Sequence, residues 1–377
     1  MPYSKLRRTV RGVAVSLYLC AFTFGLAARA QDAPKYKFDS SWPKLPLPNK
    51  WTFENVSGMY VDRNDHIWVL QRPADFDADP TENYASLNPP SAECCVRPPA
   101  VLEFDAEGNL LKAWGGLDTD PHWSGTHTLI VNSKGVVWLG TPGGFLRYSS
   151  DGKFLSRLGE AQAQAIDPKT QNNQAPILSG QPAGADLDEA AHEIYIADGY
   201  VNKRVVVWDS DTGAFKRGWG AYGAALDQID NNPAPPHDPD GPPAKQFRNP
   251  VHCVRLSRDG LVYVCDRGGD RVQVFTKQGK FLKEFFIANR TLDRGSVGSI
   301  DFSNDPQQKY LLVSDIMNNV VWIVNRNDGA IAGKFGGMGH NGGMFHWVHV
   351  ATMDSRGNIY TGEVTGGKRI QKFVPVP

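Results

Sequence analysis

Residues 252–285 read HCVRLSRDGLVYVCDRGGDRVQVFTKQGKFLKEF, and this stretch decides the fold. Apolar and polar residues alternate in short runs, with one turn at Asp259-Gly260 and another at Gln278-Gly279. Alternation with a period of two between such turns is typical of antiparallel strands joined by hairpins. The stretch therefore predicts a four-stranded antiparallel sheet in one continuous piece of chain.

The first half of this pattern, two strands around a turn with an aromatic residue in the second strand, recurs along the chain. Its six copies cover residues 56–70, 126–140, 183–198, 252–266, 299–315 and 349–363. Units of about 58 residues exceed the roughly 40–50 of typical propeller blades, so insertions are expected. The sequence predicts an all-β, six-bladed β-propeller in which residues 31–377 form a single domain. The last copy lacks one strand, which residues 36–42 are predicted to supply, closing the ring.

Composition agrees with this class of fold. The chain has 377 residues, 41% of them hydrophobic, with 38 glycines and 26 prolines. The apolar content excludes disorder throughout, and the glycine and proline content exceeds the usual share of about 7% and 5%, which indicates many turns. Basic residues show no clustering in the rest of the chain, so nucleic acid is not an expected partner.

The amino terminus has the pattern of a secretory signal peptide over residues 1–30. Five basic residues and no acid occur there, around an apolar run over 12–26, and the segment ends in the small-residue site Ala28-Arg29-Ala30. The run is shorter than the roughly 18 residues of a spanning helix, so no membrane anchorage is expected after cleavage. We therefore predict a secreted or periplasmic protein, expected to be a monomer.

Four cysteines remain once Cys20 leaves with the signal peptide. An oxidising compartment makes disulfides plausible, and no C-x-x-C pair suggests a cysteine-based zinc site. Cys253 and Cys265 flank a tight turn and can bridge neighbouring strands, and Cys94 and Cys95 can form a vicinal pair. The sequence leaves the pairing open.

Three long insertions are predicted on one face of the propeller. They cover residues 73–100, 160–181 and 221–249; the first follows a second strand, and the other two lead into a first strand. In a meander blade these connections share one face. Long loops on one face of a rigid scaffold commonly carry binding sites, so this face is the expected functional one, although 221–249 with its Pro-Pro pairs can also be merely unstructured.

Three histidines occupy the same position in alternate units. His127, His252 and His349 each lie five residues before the turn residue, where the innermost strand begins, and Ser57, Ala183 and Ser299 occupy that position in the other units. Alternate blades of a six-fold ring are related by a three-fold axis along the central channel, so the three imidazoles are expected to converge there. Three imidazoles with an open fourth position are typical of a catalytic zinc site, and the alternative is hydrogen bonding in the channel.

Four charged or phenolic residues lie near that position on the insertion face. Arg72 and Tyr200 follow the second strands of units 1 and 3, and Arg267 and Glu363 occupy similar places in units 4 and 6. An arginine there can hold a substrate carboxylate, and a tyrosine beside a metal can act as a base. Salt bridges between blades are the alternative for Arg72 and Tyr200 and the favoured interpretation for Arg267 and Glu363.

These residues resemble a known family. The blade pattern resembles NHL repeats, and the histidine register is similar to that of the peptidyl-α-hydroxyglycine α-amidating lyases (peptidylamidoglycolate lyases), the lyase half of peptide-amidating enzymes. The most specific segment is IYIADGYVNKRVVVW at residues 194–208, similar to a D-G-Y-x-N-x-R stretch of that family. The resemblance implies that His127, His252 and His349 are zinc ligands, and that Tyr200 and Arg72 are active-site residues.

The sequence departs from the family around the third histidine. Trp347 and Val348 stand where the family has methionine and proline, which can mark a changed substrate pocket. The acid that the family links to a structural calcium is replaced by Val350, which puts calcium in doubt, although Leu129 matches a backbone ligand position.

The resemblance implies a secreted zinc lyase that cleaves an N-acyl or peptidyl α-hydroxyglycine into an amide and glyoxylate, the substrate carrying a free carboxylate. The alternative is a non-catalytic NHL propeller that binds a protein, peptide or cell-envelope ligand, because one fold serves both roles. A metal-dependent lactonase or other hydrolase is less favoured, since such sites prefer carboxylate and asparagine ligands on calcium.

Overall fold

The part of the chain that the structure describes contains twenty-four short strands arranged in six four-stranded sheets. The structure is a computed structural model, and it describes Met1 and residues 33–72, 89–117, 119–123, 125–159, 171–178, 180 and 182–376. The described residues from Ala33 onward form one compact unit. Beyond Met1, the predicted signal peptide lies outside the described residues. No helix among these described residues has the length and apolarity needed to cross a bilayer.

Each sheet is one blade, built mainly from consecutive strands. Blades 1 to 3 consist of β2 (Val56–Val61), β3 (Ile67–Gln71), β4 (Val101–Phe104) and β5 (Leu110–Trp114); β6 (Leu129–Val131), β7 (Val137–Thr141), β8 (Gly144–Tyr148) and β9 (Phe154–Gly159); and β10 (Gly184–Asp188), β11 (Glu193–Asp198), β12 (Arg204–Asp209) and β13 (Phe215–Trp219).

Blades 4 to 6 follow the same plan with one exception. They consist of β14 (Val251–Leu256), β15 (Leu261–Asp266), β16 (Arg271–Thr276) and β17 (Phe281–Phe286); β18 (Ser299–Phe302), β19 (Tyr310–Asp315), β20 (Val320–Asn325) and β21 (Ile331–Gly336); and β22 (Val348–Met353), β23 (Ile359–Glu363), β24 (Ile370–Val376) and β1 (Lys35–Asp39). Short 3-10 helices lie at Pro48–Lys50, Ala221–Gly223, Leu226–Gln228 and Arg267–Gly269.

The six blades close into a ring, which confirms the predicted six-bladed β-propeller. The first strands of neighbouring blades contact one another all the way round, with β22 of blade 6 against β2 of blade 1. β1 from the start of the chain pairs antiparallel with β24 near its end, and Phe38 opposes Phe373 in that pairing. The predicted closing strand is therefore present, and it ends at Asp39 rather than at residue 42.

Apolar side chains fill the space between blades. Tyr195, Val207 and Trp219 of blade 3 pack in one buried cluster with Val264 and Phe275 of blade 4. Removing such side chains from water stabilises the ring by roughly 1.5–3 kcal/mol each. Because strands alternate their side chains between the two faces, each blade presents one apolar face to each neighbour, as the period-two pattern predicts.

Both possible disulfides are formed. Cys253 and Cys265 join β14 to β15 across a directly paired position, and Cys94 and Cys95 form a vicinal bridge in the first insertion. The structure therefore assigns the pairing that the sequence left open.

The three insertions connect β3 to β4, β9 to β10 and β13 to β14, as predicted for one face. Residues 73–88, 160–170, 179 and 181 of these insertions lie outside the described residues. The described part of the second insertion is fixed by Arg204, whose guanidinium donates to the backbone oxygens of Asn173, Ala175 and Ile177 at 2.5–2.6 Å. The third insertion is ordered over its whole length and contains two of the 3-10 helices.

Candidate metal centre

β-Bulges at the start of the innermost strands set the direction of the predicted histidines. In β14 the pairing register shifts between Val251 and Cys253, so that His252 is an extra residue. β22 has the same shift around His349. His127 lies just before β6, with its backbone N–H bonded to β7 at 3.1 Å. A bulge bends the strand and re-aims a side chain, here toward the propeller axis.

The structure brings His127, His252 and His349 together. One ring nitrogen from each lies within 4.8 Å of those of the other two. The ring centroids are 4.9–5.2 Å apart, with ring planes at 73–86° to one another. All three side chains are buried. Ser57 and Ala183 are also buried at the equivalent positions of blades 1 and 3, and their small side chains leave room for the imidazoles.

Burial keeps the three imidazoles neutral. Desolvation lowers the pKa of His127 and of His252 well below the usual value, and it lowers the pKa of His349 to about 3. The positive charges of Arg72 and Arg267 act in the same direction on His127 and His349. Neutral imidazole is the form that binds a metal ion, so these residues are ready to act as ligands.

Hydrogen bonds to the next blade fix the ring tautomers. Nδ1 of His127 donates to the Ala183 carbonyl at 2.8 Å, and Nδ1 of His252 donates to the Gly298 carbonyl at 2.5 Å. A neutral imidazole carries one N–H, so Nε2 of both rings is left as an acceptor. Such backbone bonds on the second nitrogen are typical of metal-binding histidines.

The Tyr200 hydroxyl, which has one proton, lies within hydrogen-bonding distance of two of these acceptors. Its hydroxyl oxygen lies 2.6 Å from Nε2 of His127 and 3.1 Å from Nε2 of His252. The hydroxyl can donate its proton to only one of these nitrogens. The lone pair of the other nitrogen therefore faces the hydroxyl oxygen with no proton between the two atoms. A cation held by the ring nitrogens would satisfy this excess of lone pairs, and the donor set of three imidazoles fits zinc.

Two arginines accompany the histidines. Arg72 follows β3, where its backbone N–H donates to Asn55 at 2.9 Å, and its side chain is buried. Arg267 follows β15 and is also buried; burial lowers its pKa, and a hydrogen bond with Tyr200 opposes this only in part. Both predicted active-site residues, Arg72 and Tyr200, therefore lie with the histidines on the insertion face.

The favoured interpretation of Arg267 as a salt bridge between blades is wrong. Among the described residues Nε of Arg267 is buried without a hydrogen-bond partner, and the side-chain hydrogen bond that Arg267 does form is with Tyr200 of blade 3. It contacts Tyr200 instead. Sequence reasoning underestimated this residue, although it follows the second strand just as Arg72 does. Glu363 does form a salt bridge, with Arg369 at 2.6 Å, but this bridge lies within blade 6 rather than between blades.

A channel continues from the histidines along the propeller, and His252 and His349 line it. Leu129 and Val350, the two positions relevant to calcium, both line it. Asp301 also lines the channel, but its carboxylate accepts a hydrogen bond from Arg255 at 2.7 Å. Within the described ranges the channel therefore offers calcium no unengaged carboxylate beside Leu129, and the donor set does not fit that ion.

Another cluster with metal-ligand residue types, Asp62, His66 and Glu103, lies in blade 1. Nδ1 of His66 and Nζ of Lys112 lie 2.7 and 2.9 Å from the two carboxylate oxygens of Glu103. Asp62 accepts hydrogen bonds from the backbone of its own turn and from the Trp68 indole. These groups satisfy one another, so the cluster is a local ion-pair network.

The fold and the site define a class: a six-bladed β-propeller with a histidine cluster on its axis. No family model matches the chain. The chain is 25% identical over 372 residues to NHL repeat-containing protein 3 of Homo sapiens, covering 94% of this chain and 88% of that protein. It is 26% identical to the Mus musculus protein of the same name, with 96% and 90% covered. The chain therefore has homologues among NHL repeat-containing proteins.

A third similarity concerns an amidating enzyme. Over 258 residues the chain is 31% identical to peptidyl-glycine alpha-amidating monooxygenase B of Xenopus laevis, which covers 65% of this chain and 25% of that protein. The similarity is partial, since it includes only a quarter of the relative.

Solved structures support the fold. A streptogramin B lyase structure superposes with a TM-score of 0.50 at 14% identity, covering 91% of this chain and 98% of that one. A catalytically inactive virginiamycin B lyase from Staphylococcus aureus with quinupristin gives a TM-score of 0.51 at 15% identity, covering 91% and 89%. At such identities the likeness concerns the propeller architecture alone.

Proposed function

We propose that the protein is a metal-dependent carbon–nitrogen lyase that converts an N-acyl or peptidyl α-hydroxyglycine into an amide and glyoxylate. The observation that carries this proposal is the convergence of three neutral imidazoles with the Tyr200 hydroxyl, a site with more lone pairs than protons. The partial similarity to an enzyme named for peptidyl-glycine α-amidation supports the reaction class.

His127, His252 and His349 would hold zinc through one nitrogen each, leaving a position open for substrate. Zinc bound there would supply Lewis acidity toward a substrate oxygen. Both Arg72 and Arg267 are buried beside the histidines, so that a carboxylate brought to them is desolvated and forms strong hydrogen bonds. We assign carboxylate binding to Arg72.

Tyr200 takes the proton of the α-hydroxyl group in this proposal. The carbon–oxygen bond then becomes a carbonyl, the electron pair of the C–N bond goes to nitrogen, and that nitrogen gains a proton to give the amide. One proton moves from oxygen to nitrogen overall, so no oxidant is required. Arg267 forms a hydrogen bond with Tyr200 and so helps to hold the phenolic oxygen beside the histidines.

Secretion or a periplasmic location remains part of the proposal. Both disulfides of the described residues support an oxidising compartment. The expected partner is a small or peptide substrate with a free carboxylate, which matches the positive charge of Arg72 and Arg267.

Metal content and glyoxylate release test the proposal together. Purified protein supplied with zinc is expected to bind about one zinc ion and to release glyoxylate from N-benzoyl-α-hydroxyglycine. His252→Ala should lose both properties, and His192→Ala, at an exposed histidine, should keep both. A folded, zinc-supplied protein without metal or without glyoxylate release would contradict the proposal.

The non-catalytic alternative predicts a different response to chelation. A propeller that only binds a protein, peptide or cell-envelope ligand should keep that ligand after zinc is removed. Loss of glyoxylate release on chelation, with recovery on adding zinc, favours the lyase.

A further inference from the structure

The loop that connects β21 to β22 on the insertion face is rich in residues that bind soft metal ions. Residues 337–347 read GMGHNGGMFHW, and they contain two of the six methionines and two of the nine histidines of the chain. The order methionine, any residue, histidine occurs there twice, at 338–340 and at 344–346. The metal centre uses none of these side chains. Thioethers and imidazoles are ligands of soft and borderline metal ions, so this loop is a second candidate metal site.

The two histidines of the loop lie side by side near the surface. The ring centroids of His340 and His346 are 5.1 Å apart, and their planes are inclined by 23°. His340 is exposed and His346 is partly exposed, so solvent reaches both residues. Because each donor nitrogen lies about 2 Å from a bound ion, two imidazoles on one ion have ring centres roughly 4.5–6 Å apart. The observed separation therefore fits two ligands of a single ion.

Neither imidazole ring is hydrogen-bonded within the part of the chain that the structure describes. Only backbone atoms of these residues form hydrogen bonds there: the His346 N–H donates to Glu363 at 2.7 Å, and the His340 carbonyl accepts one from Arg369. Gly366 lies beside His346 without a side chain, and a Cβ there would meet Nε2 at 3.2 Å. Both rings therefore keep a lone pair that can bind an ion.

The Met344 thioether lies beside the same histidines. Its sulfur would be 2.7 Å from a Cβ built on Gly339, so it packs against the backbone of the residue that precedes His340. Met344 is partly exposed, and it is two residues from His346 along the chain. One sulfur and two imidazoles are therefore gathered in a small region of this loop.

Met338 brings a second thioether to this region. It pairs with Phe345 in a short parallel bridge, which places it opposite the residue between Met344 and His346. Its side chain is 70% exposed, more than any other large apolar side chain of the described residues beyond the first residue of the chain. A methionine so exposed contributes little to packing, but its soft sulfur is accessible to an ion.

The loop is held in shape by the last strand of blade 6. The Arg369 guanidinium donates to the carbonyl groups of Met344 at 2.7 Å and Gly339 at 3.1 Å. Gln371 donates to the Met344 carbonyl at 2.9 Å, and the Phe345 side chain is completely buried. A backbone that is already fixed loses little conformational entropy when its side chains bind a ligand.

We propose that loop 337–347 binds one copper ion in the Cu(I) state. The ligands are the imidazoles of His340 and His346 and the thioethers of Met338 and Met344. Thioether sulfur is a soft donor that suits Cu(I), and imidazole also binds copper. Zinc sites use thiolate, imidazole and carboxylate ligands rather than thioethers, so the loop differs in ligand type from the three-imidazole centre. The proposal holds whether or not the lyase reaction does.

Titration of the full-length His252→Ala variant with Cu(I) tests the loop without competition from the three-histidine centre. Cu(I) kept reduced by ascorbate, and competed with a coloured Cu(I) chelator, should bind at about one ion per chain. Adding His340→Ala or His346→Ala to this background should lower Cu(I) affinity at least about ten-fold, because each removes one ligand. His192→Ala, at an exposed histidine of blade 3, is the matched control and should leave the affinity unchanged.

X-ray absorption of zinc-supplied, Cu(I)-loaded wild-type protein identifies the ligands, and it decides the matter if His252→Ala does not fold. Sulfur should be found around copper, and it should disappear in the double variant Met338→Leu/Met344→Leu, in which leucine keeps the apolar volume. Met317→Leu, at a partly exposed methionine in the turn after β19, is the control and should keep the sulfur signal.

The outcomes of this test are independent of the lyase assay. Absence of Cu(I) binding, copper with only nitrogen or oxygen ligands, or unchanged affinity in folded His340→Ala and His346→Ala would each overturn the copper proposal. A protein that binds Cu(I) through sulfur but releases no glyoxylate would contradict the lyase proposal alone.

Discussion

The hydroxyl oxygen of Tyr200 lies 2.6 Å from Nε2 of His127, although the two residues belong to different blades. Tyr200 is held there by the turn after β11, which is fixed from outside the blade. Nδ2 of Asn249, at the end of the third insertion, lies 2.9–3.1 Å from three carbonyl oxygens around this turn, those of Gly199, Val201 and Asn202. The insertion therefore helps to position the proposed base.

Replacement of Tyr200 by phenylalanine removes the hydroxyl that contacts the imidazoles of His127 and His252. The lyase proposal predicts that Tyr200→Phe lowers kcat about 10²-fold to 10⁴-fold, because a positioned base contributes that much. Zinc content should stay near that of the wild type, since the three histidines remain. Tyr310→Phe serves as the control, because Tyr310 lies in blade 5 away from the histidines. Normal turnover in Tyr200→Phe would rule out its role as the base.

Replacement of Arg72 by lysine keeps the charge but removes the planar pair of donors that fits a carboxylate. We expect Arg72→Lys to raise KM for N-benzoyl-α-hydroxyglycine about ten-fold, since lysine does not reproduce bidentate geometry. Steady-state kinetics with separate kcat and KM values would show this. Arg63→Lys, at an exposed arginine of blade 1, is the comparison. Unchanged KM in Arg72→Lys would remove the carboxylate assignment.

The blades and the histidine cluster could be predicted because both depend on local spacing. A hairpin fixes its own register, and the bulge at His252 and at His349 lies at a constant distance from the turn. Residues at the same distance from the turn in each unit therefore occupy equivalent positions in each blade of the ring. The strand at Lys35–Asp39 was predictable for a related reason, since a closed ring leaves no unpaired edge.

Contacts between segments distant in sequence could not be predicted. The partner of Arg267 depends on how the turns after β11 and β15 approach each other across two blades. The position of the third insertion depends on the contact of His237 with Asn289, 52 residues further along the chain. A periodic sequence pattern does not predict such contacts, because the position of an insertion depends on side chains from other blades.

The buried ion pair of Arg204 with Asp198 predicts that replacing Arg204 lowers the stability of the fold strongly. Nε of Arg204 lies 2.8 Å from Oδ2 of Asp198, and both side chains are almost completely shielded from solvent. Arg204→Met should lower the free energy of unfolding by about 3–5 kcal/mol, because it leaves a buried carboxylate without its counter-charge. Urea denaturation of the variant beside exposed Arg63→Met would measure this. A loss below about 1 kcal/mol would show that the pair contributes little.

Glu193 gives a stability difference with a defined pH dependence. Arg217 donates to both Glu193 oxygens at 2.6 and 2.7 Å, and this pairing lowers the pKa of Glu193 from 4.5 to about 2. In the unfolded chain Glu193 takes up its proton at higher pH than in the folded protein. The pair therefore stabilises the fold fully above about pH 4.5, and this contribution is lost as the pH falls toward 2.

Comparison with Glu193→Gln isolates this contribution from other titrating groups. At pH 7 the variant should be less stable by about 2 kcal/mol, less than the full shift implies, because Arg217 is a quarter exposed and water screens the pair. The difference in unfolding free energy between wild type and variant should shrink steadily between pH 4.5 and 2. A difference that stays constant over this range would mean that the carboxylate's charge does not stabilise the third blade.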